Sequence, residues 1–327
     1  MDLADLAEAI ELNDPDKLLR LIDTAAKDED WDGILTLRER CYRAVDTGRQ
    51  LWGVAHHAEY RLALEAPASY AGPMVIEDPA GFTLGPLEEV AASTHTWAEL
   101  SDHVPPGPSR AVTAHERVVR GEDLSAEQGL DHEVLEIPLV LASWEPAYAV
   151  ATYHADRAEF PAPDIPLLEA VAPTATGKPI DDPDADDALR RLVDTWVTES
   201  NGRAQVAIVR GPAQAALAAL GLKEARIATI TPDEALAQMA WAAASGGAHG
   251  RRKGSAAGRF SAWWAVAALA GILDVWPPPP EAVERAAETI RWFAWSDLVP
   301  PTGWDLHVAA NDPERNQSWA ITATDAA

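Results

Sequence analysis

Cysteine is almost absent from this chain of 327 residues, with Cys41 standing alone. No disulfide can close within one chain, and no cysteine-based zinc or iron–sulfur site can be assembled from it. Basic residues are scarce too, at 26 Lys and Arg against 52 Asp and Glu, for a formal net charge of −26. A surface of that sign repels phosphate backbones, which argues against general nucleic-acid binding. Long apolar runs are also missing. FSAWWAVAALAGIL, from Phe260 to Leu273, falls short of the roughly 20 residues that a bilayer span needs and reads as a buried helix. The amino terminus, MDLADLAEAI, is acidic and amphipathic, unlike a secretory signal. Together these absences predict a cytoplasmic protein with no membrane association and no cofactor.

What is present is globular in composition, 47% hydrophobic and 24% charged, with ample core for one large domain or two ordinary ones. Residues 1 to 125 read as a helical region, of bundle or solenoid type. Asp14 is placed as an N-cap, Pro15 at the first helical position, and Leu18, Leu19, Leu21 and Ile22 as the apolar stripe. WDGILTLRERCYRAV and RQLWGVAHHAEYRLAL carry the same helical spacing.

Residues 126 to 327 read as a mixed α/β region. VLEIPLVLASW and YAVATYHA predict a hairpin about Glu145-Pro146-Ala147, with Pro138 at an edge or bulge. The Pro- and Asp-rich stretch from 161 to 187 predicts a linker or long surface loop. A helix is expected near Pro183 to Glu199. AQVAIV and ARIATI are spaced for parallel strands joined by a helical crossover, and WDLHVAA and SWAITAT for strands around NDPERNQ. The expected class is mixed α+β, a helical region followed by a mixed sheet with packed helices.

The stretch SGGAHGRRKGSAAGR, residues 245 to 259, departs from the rest of the chain. It holds five glycines and four fixed cations, and no acid occurs between Glu234 and Asp274. The chain-wide frequency would place about six acids there. Thr231, Pro232 and Glu234 predict a capped helix before this corner, and Ser255 the start of another after it. Cations immediately before a helix amino terminus oppose its dipole unless an anion is near. The spacing therefore predicts an anion site made of Gly247, His249, Gly250, Arg251, Arg252, Lys253, Gly254, Ser255 and Arg259, serving an anionic small molecule or an acidic protein segment. Two alternatives stand beside it. One is an enzyme acting on a phosphorylated or carboxylated substrate with His249 as acid or base. The other is a structural corner neutralised from within, with DDPDADD as an obvious supply of acid.

The segment SGGAHGRRKGSAAGRFSAWWAVAALAG resembles the signature segment of a family of uncharacterised soluble proteins from Ala-rich, high-GC bacteria. LWGVAHHAEYRLALEAP extends the likeness. The resemblance implies no activity and brings no catalytic residues.

His56 and Glu59 share a helix face and form a weak metal candidate, without the spacing of a zinc protease. His115-Glu116, Asp131-His132-Glu133, His154 with Asp156, and Asp305 with His307 are neighbouring acid–base pairs, but adjacent residues point apart. Seven of the 13 tryptophans fall in the last quarter and predict an aromatic core there in preference to a binding surface.

Overall fold

In the computed structural model, which describes residues 1–75, 83–131, 133–173, 175–301 and 303–326, the local signals act as expected at several helix starts. The Asp14 carboxylate accepts the Lys17 amide at 2.9 Å and Pro15 opens the helix. Thr231 and Glu234 close a reciprocal capping box. Mixed α+β is the observed class. The chain separates into two compact units, Met1–Arg117 with Glu127–Val134 and Ala151–Glu159, and Val118–Ala126 with Leu135–Val150 and Phe160–Ala327.

The first unit is built on α1 (Leu3–Glu11), α2 (Pro15–Lys27), α3 (Trp31–Asp46), α4 (Trp52–Glu65), α5 (Ala68–Ala71), α6 (Leu87–Thr94) and α7 (Trp97–Leu100). α8 (Pro108–Val119) follows, and a minimal antiparallel pair, β1 (Thr152–Tyr153) and β2 (Ala158–Glu159), completes it. Helix α4 is its centre, because α2, α3 and α6 all pack on it and ten of its residues are buried. A helix buried on all sides must satisfy its polar groups internally. Arg61 does so with Asp23 and Glu65, and Glu59 with Arg38 and Tyr42.

The second unit contains β3 (Glu169–Val171), β4 (Lys178–Pro179), α9 (Pro183–Arg191), α10 (Asp194–Thr198), β5 (Arg203–Arg210), α11 (Ala213–Ala219) and β6 (Ala225–Ile230). It continues through α12 (Pro232–Ala244), α13 (Ser255–Ala270), α14 (Pro280–Thr289), β7 (Arg291–Ser296), β8 (Trp304–Asp312) and β9 (Gln317–Asp325). The seven strands form one antiparallel sheet in the order β3-β6-β7-β8-β9-β5-β4. Alternation along β8 divides its side chains between two cores. Leu306, Val308 and Ala310 enter the larger one with α9, α12 and α13, whereas Ala309 joins the smaller one beneath α11. Trp196, Trp263, Trp292 and Trp319 are fully buried, in keeping with the aromatic-core reading.

Three expectations are corrected. Strands β5 and β6 do run in the same direction, but β7, β8 and β9 lie between them, so they never pair. The crossover carries the chain across the sheet to begin its other side, and the carboxyl-terminal strands fill the gap. The predicted hairpin over 134–155 does not form. Leu135 and Glu136 take positive φ, and the Pro138 and Val140 carbonyls accept from the Arg259 guanidinium instead of from a neighbouring strand. The helix expected over 183–199 divides into α9 and α10 at Leu192-Val193. In addition, the Pro-rich stretch from 161 to 187 supplies both edge strands, β3 and β4. Short edges, one carrying Pro179, discourage further strand addition.

Candidate functional site

The corner begins where α12 ends. Ser245 leaves the helix in an extended conformation, and its hydroxyl bonds the Ala242 carbonyl at 3.0 Å and receives the Trp196 indole N–H at 2.8 Å. Gly246 and Gly250 then face each other, with the Gly250 amide 3.0 Å from the Gly246 carbonyl. A Cβ on Gly246 would lie 2.0 Å from the Gly250 oxygen, so glycine is needed here for backbone contact. The loop closes when the Lys253 amide reaches the Ala244 carbonyl at 2.8 Å. Gly254, with φ of 95°, turns the chain into α13.

Most of the donors expected to face a ligand are taken by the protein's own groups. The Ala248 amide bonds Asp325 at 2.7 Å, the His249 amide bonds the Ser200 hydroxyl at 3.1 Å, and the Arg251 amide bonds Glu199 at 3.1 Å. The Lys253 ammonium lies 3.8 Å from Asp194. Arg252 donates to the Ser255 hydroxyl at 3.1 Å and sits over the Phe160 ring, 4.8 Å from its centroid. A small cleft beside it, of about 10 Å³, is lined by Tyr148, Trp241, Arg252 and Ser255 among others. The side chains of His249, Arg251 and Lys253 are exposed.

Arg259 stands apart from this rim. Its side chain and that of Glu145 are both 0% exposed, and they meet in a forked pair at 2.6 and 2.7 Å. The Glu145 carboxylate also accepts the Trp263 indole at 2.9 Å, the Tyr148 hydroxyl at 2.7 Å and the Ala142 amide at 2.9 Å. Burial alone would raise its pKa. The Arg259 hydrogen bonds and charge, with those donors, outweigh burial and hold it below the usual carboxylate range. Burial first, and then the Glu145 charge, raise the Tyr148 phenol well above its ordinary value, against the opposing charge of Arg259.

Glu145, Asp194, Glu199 and Asp325 are thus among the acids that meet the corner. DDPDADD is engaged elsewhere: Asp182 caps α9 and accepts from the Gln317 side-chain amide at 2.7 Å, and Asp186 and Asp187 pair with Arg190 and Arg191. Nothing in local spacing singles out Glu145 or Asp325. Their partners lie 114 and 77 residues away, brought together by the fold.

The other candidates occupy ordinary packed positions. Glu59 accepts from Arg38 Nε at 2.8 Å and from the Tyr42 hydroxyl at 2.9 Å, and His56 packs against the Tyr42 and Trp52 rings. No cluster of three or more metal-ligating side chains occurs among the described residues. His115 and Glu116 are buried on α8, and His154 lies 3.4 Å from Glu159. His132 lies outside the described residues. Cys41 is buried, and burial pushes its thiol up to about 12, the state of an inert thiol.

His307 stacks on Trp295 at 4.5 Å, and burial lowers its pKa below the ordinary 6.5 while Asp297 and Asp305 oppose that shift. His57 is lowered similarly, first by burial and then by Arg61. A histidine that resists protonation when folded contributes stability that is full above about pH 6.5 and is lost as the pH falls toward the lower folded value. The melting temperature should therefore drop between neutral pH and mildly acidic pH, and the drop should be shallower in His307→Gln. Equal slopes for the two proteins in a pH series of thermal melts would contradict this assignment.

The chain belongs to a family of unknown function, DUF6183, whose model matches residues 16–327, from α2 onward and including the corner. No curated protein and no solved structure matches it. Among the described residues, no helix is long and apolar enough to cross a membrane.

Proposed function

We propose that this protein is a binding or interaction protein, and that the outer rim of the corner receives an acidic group from a small molecule or a partner segment. Arg251 and Lys253 supply the charge, His249 adds a donor, and Arg252 lies behind them beside the Tyr148–Trp241 cleft. The observation that carries the reading is a division of labour within one loop. Its backbone amides are held inward by Asp325, Ser200 and Glu199, while the His249, Arg251 and Lys253 side chains are exposed. A loop fixed from within presents its cations with little backbone conformational entropy left to lose. In this reading Gly247, Gly250 and Gly254 shape the loop, Ser255 orients Arg252, and Arg259 anchors α13 from inside.

Neutralisation from within is the second reading, favoured by the same inward bonds and by the buried Glu145–Arg259 pair. Catalysis by His249 draws less support, because its amide is tied to Ser200 and its ring has no carboxylate beside it among the described residues. Calorimetry with inorganic phosphate, ATP and polyglutamate at low ionic strength separates the first two. Saturable, salt-sensitive binding of at least one probe is expected for the wild type. It should weaken about tenfold in the double variant Arg251→Gln, Lys253→Gln, with the melting temperature nearly unchanged. Absence of binding by the wild type, or equal binding by the variant, would leave neutralisation from within as the better account.

A further inference from the structure

A second basic site lies in the helical unit, far from the corner in sequence. Helices α1 and α3 border an open groove of about 330 Å³, within the size range of recognition sites. Ala7, Ile10 and Ala44 give it an apolar floor, and Arg40, Arg43 and Arg49 stand around it against a single acid, Glu11. In a chain of net charge −26, three arginines about one groove reverse the local sign.

Two of these arginines have some structural employment. Arg49 donates to the Glu11 carbonyl at the end of α1. Arg43, in the last turn of α3, is favoured by the negative end of the helix dipole. Its contact with Glu39, at 3.3 Å, is exposed at both ends and holds it weakly. Arg40 is different. It is half-buried, lines the groove, and has no hydrogen-bond or ion-pair partner among the described residues. Guanidinium forks beside an apolar floor complement a carboxylate next to a hydrophobic side chain. Leu12, next in chain to Glu11 at the end of α1, is a 67% exposed apolar side chain.

We propose that this groove takes an acidic peptide segment of a protein partner. One large apolar side chain rests on Ala7, Ile10 and Ala44, and flanking carboxylates meet Arg40 and Arg43. Recognition of this kind, with an apolar anchor fixing register and charges steering approach, is common where one protein captures a short segment of another.

The test is fluorescence anisotropy with a labelled peptide carrying one phenylalanine among glutamates, titrated with the full-length protein at low salt. Saturable binding is expected, falling about tenfold or more in Arg40→Glu and weakening when the phenylalanine is replaced by serine. Repeating the titration in the Arg251→Gln, Lys253→Gln background removes any acidic-group binding by the corner, and the loss in Arg40→Glu should persist there, so the two sites can fail separately. The proposal is overturned by no saturable binding, by undiminished binding in Arg40→Glu, or by loss of binding in the corner variant instead. It is also overturned if the serine peptide binds equally well, which would mean bulk charge alone. Competition by 3-phenylpropionate at concentrations comparable to the peptide's would reassign the groove to small carboxylates.

Discussion

Arg259→Met should be among the most damaging single substitutions in the protein, lowering unfolding stability by about 3–5 kcal/mol. The reason lies in what remains. Glu145 would keep its buried position and three other donors, but would lose the guanidinium that accounts for its charged state there. The Pro138 and Val140 carbonyls would lose their donor in the same step, and with it a tie between the irregular segment and α13. Replacing both charges, Arg259→Met with Glu145→Leu, should cost clearly less than the two single changes added together, since no uncompensated charge is left. Urea unfolding of the four proteins of this cycle measures the coupling. A single variant within about 1 kcal/mol of the wild type would mean that the pair does not hold the segment.

Gly258→Leu should be the second large loss, exceeding the about 1–3 kcal/mol typical of an overpacked core. At Gly258 a Cβ would lie 2.2 Å from the Ala240 carbonyl oxygen and 2.8 Å from the Ala244 Cβ. The first of these is helical backbone and cannot rotate away. Helices α12 and α13 would have to separate, lifting Trp263 and Met239 out of the core they share. Gly53 on α4 is the matching control. It is exposed in the first turn, has nothing within 4 Å of an added Cβ, and should gain up to about 1 kcal/mol as alanine through helix propensity. Thermal melts of Gly258→Leu and Gly53→Ala should shift in opposite directions. A Gly258→Leu protein that melts like the wild type would contradict the close helix contact.

The unequal legibility of the chain follows from the range of each interaction. A capping box spans four residues, so Thr231 and Glu234 could be recognised directly, as could Asp14 with Pro15 and the start of α13 after Gly254. Alternating apolar residues marked β5, β6, β8 and β9 for the same local reason. Strand order was another matter. Local spacing suits β5 and β6 to a crossover, but whether they pair depends on where β7, β8 and β9 insert, and that is decided by the two cores on either side of the sheet. The run from Val134 to Trp144 has strand-like composition, yet its carbonyls are claimed by Arg259, more than a hundred residues later.

The corner shows the same division. Its amino-acid sequence determined a glycine turn between two helices, a local excess of cations and the need for a counter-charge, because each follows from composition and spacing within a few turns of chain. Only the tertiary structure decided that Glu145, Asp194, Glu199 and Asp325 would meet the corner, that Arg259 would point inward, and that the Arg251 and Lys253 side chains would remain exposed. Coulombic and hydrogen-bonding partners are chosen by distance in space, and packing the helices on the sheet sets those distances.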